Sequence, residues 1–162
     1  MDQNLTSPPP KNSGFSDQGV VDQVRMDQGQ EPEKDTWEIL KADFLRNGHS
    51  LEDADEYYDY LEEGILNNTI RILRNGNSLL EVELIAPGQA SVDLFHDTTP
   101  KNIINDSVEF TKALKAAGFN YIKLYAVPER VGKLAKIVSD ATGYKYTVTP
   151  QPDGEYLIEW RL

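Results

Sequence analysis

Twice in this chain an amphipathic run stops on glycine and passes straight into a strand-like segment. Residues 116 to 124 read Ala-Ala-Gly-Phe-Asn-Tyr-Ile-Lys-Leu, and residues 141 to 146 read Ala-Thr-Gly-Tyr-Lys-Tyr. Glycine adopts the left-handed conformation that closes a helix, and an aromatic directly after it supplies the apolar contact of such a cap. The first run, from about Pro100 to Ala117, carries Ile103, Ile104, Val108, Phe110, Thr111 and Leu114 at helical spacing. The second opens at Pro128 and carries Val131, Leu134, Ala135, Ile137, Val138 and Ala141. Helices that hand over to strands in this way point to a mixed α/β fold.

Upstream, Asp35-x-x-Glu38 predicts a capped helix with Trp37, Leu40, Phe44 and Leu45 on its apolar side, ended by Asn47-Gly48. Ser50-x-x-Asp53 opens a second helix with Leu51, Ala54, Tyr57, Tyr58, Leu61 and Ile65 inward, closing near Gly64. From Asn68 the period changes to two. Strands are expected over 69–74, 79–85 and 90–95, joined by turns at Asn75-Gly76-Asn77 and Pro87-Gly88, as an antiparallel meander. Two last strands, 144–149 and 155–161, flank a turn-rich loop from Pro150 to Gly154. The expected order is α-α-β-β-β-α-β-α-β-β on a mixed sheet, in one domain spanning 35–162.

Residues 1–34 contain Ser7-Pro8-Pro9-Pro10, four Asp-Gln pairs and few large apolar side chains. Such a segment cannot offset roughly 1 to 2 kcal/mol of backbone entropy per residue, so an acidic disordered tail is expected. Its one apolar patch, Val20, Val21, Val24 and Met26, either stays solvated or docks on a partner or on the domain.

The absence of cysteine excludes disulfides, thiolate metal sites and a cysteine nucleophile. No apolar run reaches the roughly 18 to 20 residues that span a bilayer, and the N-terminus lacks a secretion signal, so a cytoplasmic protein is expected. A net charge of −11 argues against binding nucleic acid or anionic membranes, which recruit lysine and arginine. The charge is uneven: residues 1–99 hold 20 acidic and 7 basic side chains, net −13, and residues 100–162 hold 7 and 9, net +2.

The element order, with the two glycine-aromatic stops at 118–119 and 143–144, resembles the GNAT acyltransferase superfamily over residues 36–162. That resemblance implies acyl-coenzyme A bound at the turn between the third strand and the long helix, with glycines that let backbone N–H groups approach the pyrophosphate. Here the turn reads His96-Asp97-Thr98-Thr99-Pro100-Lys101-Asn102 and has no glycine. Pro100 removes a donor and Asp97 adds negative charge, although Thr98, Thr99, Lys101 and Asn102 offer some phosphate contact if acyl-CoA binds. The resemblance also implies a tyrosine proton donor in the following helix, where this chain has Ser139, and an asparagine, where it has Gly132. The family's first strand has only Val20 to Met26 as a candidate.

These departures lead to the expectation of a non-catalytic binding or structural protein on a degenerate GNAT-like domain, with no cofactor, no catalytic residue and no metal. In style it resembles accessory or virion proteins of tailed bacteriophages, which would place it in a virion or host cytoplasm. One alternative is an acetyl-CoA-dependent N-acetyltransferase in which Glu81 or Glu83 serves as base for a cationic amine. Another is an acidic DNA-mimic inhibitor.

The expected partner surface is the second helix, where Asp55, Glu56, Tyr58, Asp59, Tyr60, Glu62 and Glu63 lie in a stretch without lysine or arginine. It suits a protein with a basic surface, and Tyr60 is expected to face solvent. His96-Asp97 with Ser91, Thr98 or Thr99 has the composition of a nucleophilic triad, but adjacent residues rarely face each other, and a strand-end histidine is the simpler reading. His49 is expected in a solvent-facing turn.

Overall fold

The computed structural model describes residues 33–162, apart from the side chains of 128–132. The expected tail and its Val20 to Met26 patch lie outside the described residues. The elements are α1 (Thr36–Arg46), α2 (Leu51–Leu66), β1 (Ile70–Asn75), β2 (Ser78–Ala86), β3 (Gln89–His96), α3 (Pro100–Ala116), β4 (Tyr121–Ala126), α4 (Pro128–Thr142), β5 (Lys145–Pro150) and β6 (Tyr156–Arg161). Both capping boxes form: Asp35 accepts from the Glu38 N–H, and Ser50 accepts from the Asp53 N–H. At the two stops that define the fold class, Gly118 and Gly143 take φ of 101° and 79°, and the Phe119 N–H closes on the Leu114 carbonyl at 3.0 Å.

The six strands form one mixed sheet in the order β1-β2-β3-β4-β6-β5. All neighbours are antiparallel except β3 and β4. Because strand side chains alternate between faces, the sheet carries two cores. On one face Leu73, Leu80, Val82, Val92, Ile122, Ile158 and Trp160 pack against Phe110 and Leu114 of α3 and Ala135 and Val138 of α4. On the other, Ile70, Ile72, Leu79 and Phe95 pack against Ile39 and Leu40 of α1 and Leu61 of α2. Each large side chain buried in this way contributes about 1.5 to 3 kcal/mol.

Two expectations are corrected. Leu45 and Leu51, expected on the inward faces, are each 50% exposed at helix ends, and on α1 Ile39 is buried together with Leu40. Gly64 does not end α2, which runs on to Leu66. A Cβ on Gly64 would sit 2.4 Å from the Ile70 Cδ1, so this glycine is what lets the helix lie close on β1. Separately, α3 turns Asp106 and Ser107 inward, and the Ser78 hydroxyl donates to the buried Asp106 carboxylate.

Candidate functional site

The strands β3 and β4 run parallel and pair only at Gln89–Tyr121, Ala90–Ile122 and Ser91–Lys123. Beyond those positions they separate. The sheet therefore opens as a wedge between Val92–His96 on one side and Leu124–Ala126 on the other, while β4 stays paired with β6 along its whole length. Backbone amides that face a gap of this kind need a partner, which an amide-bearing ligand can supply. Val92 lines a cavity on each face of the wedge. Beneath α3 and α4 the space is about 40 Å³ and apolar, walled by Phe110, Leu124, Leu134 and Trp160. Beside α2 it is about 380 Å³ and polar.

The polar cavity is built from three strands and one helix. From β2 come Glu81 and Glu83, from β3 Ser91 and Asp93, from β4 Tyr125, and from α2 Tyr57 and Tyr60. Residues 81 and 83 share a face because they are two apart on a strand, and residues 57 and 60 share a face because they are one helical turn apart. The Tyr57 hydroxyl donates to Glu81, and the Tyr60 hydroxyl donates to Glu83 at 2.7 Å. The ring of Tyr57 is held by Phe44, Phe95 and Tyr60, each with its centroid 5.5 Å away. Its hydroxyl is thereby fixed against the carboxylate.

Glu81 is 4% exposed. Burial pushes its carboxyl up to about 7; the Tyr57 hydrogen bond opposes that rise, and the Asp93 and Glu83 charges add to it. Asp93 is pushed up to about 6, first by the protein packed round it and then by Asp43 and Glu155, against a lowering hydrogen bond from the Leu94 N–H. The Asp93 side chain nevertheless meets solvent, so Glu81 is the stronger case for a carboxyl tuned to neutral pH. Burial and the Glu81 charge raise the Tyr57 phenol, and the hydrogen bond to Glu83 leads the causes that push Tyr60 up to about 12. Both tyrosines therefore stay protonated donors.

Compared with known proteins, the chain matches no family model and no curated protein. Solved structures do match. An acetyltransferase from Streptococcus agalactiae superposes with a TM-score of 0.51 at 13% identity, over 82% of this chain and 96% of that one. A GNAT-family protein from Desulfovibrio desulfuricans gives 0.53 at 10% identity, over 78% and 90%. The Bacillus subtilis acetyltransferase in complex with coenzyme A gives 0.50 at 10% identity, over 85% and 98%. The domain has the GNAT fold.

Within this GNAT-like domain the turn before α3 is spent on itself. Thr99 caps the helix, its Oγ1 accepting from the Asn102 N–H at 3.2 Å, and Asn102 Nδ2 donates to Thr98 Oγ1 at 3.0 Å. The Asp97 N–H donates to the Asn77 carbonyl at 3.0 Å, Pro100 has no N–H, and Lys34 pairs with the Asp97 carboxylate. Lys101 is exposed at the helix start. The donors of this turn are thus largely used within the protein, which does not suit a pyrophosphate. In α4, Ser139 donates to the Tyr144 carbonyl at 2.7 Å, so its hydroxyl closes the helix end.

The triad composition does not assemble. Ser91 and His96 are five apart on β3 and lie on opposite faces. The His96 N–H donates to Asp43, its Nε2 lies 3.3 Å from Arg46 Nη2, and Asp97 is turned toward Lys34. His49 lies tilted against Phe44, ring centroids 5.3 Å apart, at an exposed turn. On α2, Asp55, Glu56, Asp59, Glu62 and Glu63 are exposed, Tyr60 is 44% exposed, and Tyr58 is half-buried against Trp37. The same helix therefore carries an acidic outer face and supplies two tyrosines to the cavity. Sequence reasoning names Glu81 and Glu83 but misses Tyr57, Asp93 and Tyr125 as cavity residues; the paired spacings 57/60 and 81/83 were the available signal.

Proposed function

We propose that the GNAT-like domain transfers an acyl group from an acyl-coenzyme A to a cationic amine, with Glu81 as the base. The observation that carries this reading is the buried Glu81 carboxyl, pushed up to about 7, inside a polar cavity that opens onto the β3–β4 wedge. When bound, an acyl thioester would supply the activated carbonyl; as the nitrogen bonds that carbon the C–S bond breaks, and the coenzyme leaves as the free thiol with the second nitrogen proton. The chain's own part is to accept the amine in an acidic cavity, take one proton from its ammonium at the Glu81 carboxylate, and hold that carboxylate with Tyr57. A base titrating near 7 is half ionised at neutral pH, where it can both collect that proton and release it to solvent.

The residues before α3 support only weak retention of the coenzyme's phosphates, and that favours a second reading. In it the domain is a non-catalytic binding protein that uses the same cavity, or the acidic face of α2, for a cationic partner. Calorimetry with acetyl-CoA and with free coenzyme A separates the two. Saturable binding in the high micromolar range supports acyl transfer. No heat at millimolar cofactor, at two temperatures, removes it and leaves the binding protein.

A further inference from the structure

The cavity is built in duplicate. Tyr57 donates to Glu81 and Tyr60 to Glu83, so two carboxylates stand side by side on β2, each fixed by one tyrosine from α2. The Cα atoms of residues two apart on a strand are roughly 6 to 7 Å apart, and their side chains leave the same face. A tyrosine satisfies one of the several lone pairs of a carboxylate, so each retains capacity for a further donor. The two are not equivalent. Glu81 is buried and bonded to Tyr57, whose ring packs on Phe44 and Phe95, whereas Glu83 is half-buried. Tyr125, from β4, also lines the cavity.

From this arrangement we infer that the cavity takes a linear aliphatic amine with a second protonated amine, one nitrogen at Glu81 and the other at Glu83. This deepens the acyl-acceptor reading of the same cavity and rests on it. Two nitrogens separated by four methylenes span about 6 Å across five bonds, a reach comparable with the backbone spacing of Glu81 and Glu83 on β2. The methylenes lie along tyrosine rings, which accept both an alkyl chain and the edge of an ammonium. A single acidic residue would suffice for a monoamine; the second tyrosine-held carboxylate gains a role only when the ligand carries a second charge. Glu83 is then a specificity-determining residue, and Glu81 the base.

Calorimetry of the full chain with 1,4-diaminobutane and with butylamine tests this without any acyl donor. The diamine is expected to bind at least about tenfold more tightly, the scale of one added charge-assisted contact. Glu83→Gln is expected to abolish the difference. Glu109→Gln, on α3, is expected to leave it intact, which sets aside a general attraction to an acidic protein. Equal binding of the two amines, binding of neither, or discrimination that survives Glu83→Gln overturns the inference. The outcomes also part from those of the acyltransferase reading. Diamine selectivity in a protein that binds no acyl-CoA sinks that reading and leaves this one, while equal transfer to mono- and diamines does the reverse.

Discussion

The two ends of the β3–β4 wedge differ in what their polar groups are doing. In the cavity beside α2, Glu81 is held out of water at a cost that shows as a raised carboxyl, offset in part by the Tyr57 hydroxyl that donates to it. At the turn before α3, Thr98, Thr99, Asn102 and Asp97 satisfy one another, Asn77 or Lys34. Groups left poised at an energetic cost mark a working site; groups that close on each other make a stable turn. The cavity beside α2 therefore keeps polar groups at an energetic cost, whereas the turn before α3 spends its polar groups on the fold.

The sharpest way to break that contrast is to neutralise the base. Glu81→Gln should lower acyl transfer by on the order of 10²- to 10⁴-fold in a thiol-release assay, the usual contribution of a general base. A loss of less than about tenfold would return Glu81 to a structural role.

Next is the cost of burying that charge. The folded-state carboxyl is raised from 4.5 to about 7, so the folded state binds a proton more tightly than the unfolded chain. The associated stability is fully present below about pH 4.5 and is lost as the pH rises through about 7. The full change amounts to on the order of 3 kcal/mol. Urea melts between pH 4.5 and pH 8 should show the wild type losing stability relative to Glu81→Gln, which lacks the titrating group. Parallel curves for the two proteins would place Glu81 in contact with water.

At the turn, the expected effects are smaller. Pro100→Ala restores a backbone N–H at the first position of α3 without disturbing the Thr99 cap, and should tighten acetyl-CoA binding severalfold, as one added donor to a phosphate does. Unchanged affinity would mean that the phosphates bind elsewhere. The smallest effect concerns the seat of α2. Gly64→Ala should cost about 1 kcal/mol, since overpacking against Ile70 exceeds the gain in helix propensity. It should also weaken diamine binding by displacing Tyr57 and Tyr60; a stabilised variant with intact binding would show that the helix–strand contact has slack.

Much of the fold could be read from periodicity and caps. Asp35, Ser50, Gly118 and Gly143 act at the positions their types suggest, and each strand starts or ends within a residue of its alternating segment. What escaped the sequence is what depends on proximity. Gly64 looked like a stop because its role is set by Ile70, which follows it on another element. Leu45 and Leu51 fit the local apolar spacing, but each lies at a helix end and is half exposed. Glu81 could be named as a possible base, but the tyrosine that orients it and the burial that tunes it come from α2 and β3, and no local pattern joins residues 24 positions apart. The wedge itself is a property of two strands that stop pairing after Ser91 and Lys123, which neither strand's composition encodes.

The central claim is that this cavity delivers an amine to an acyl thioester. It is tested most directly by following thiol release from millimolar acetyl-CoA with 1,4-diaminobutane as acceptor, comparing the wild-type protein with Glu81→Gln. The account predicts saturable, diamine-dependent release in the wild type, rising with pH through about 7 as the Glu81 carboxyl ionises, and release near background in the variant. Background release from both proteins at every pH, or equal release from both, would contradict it.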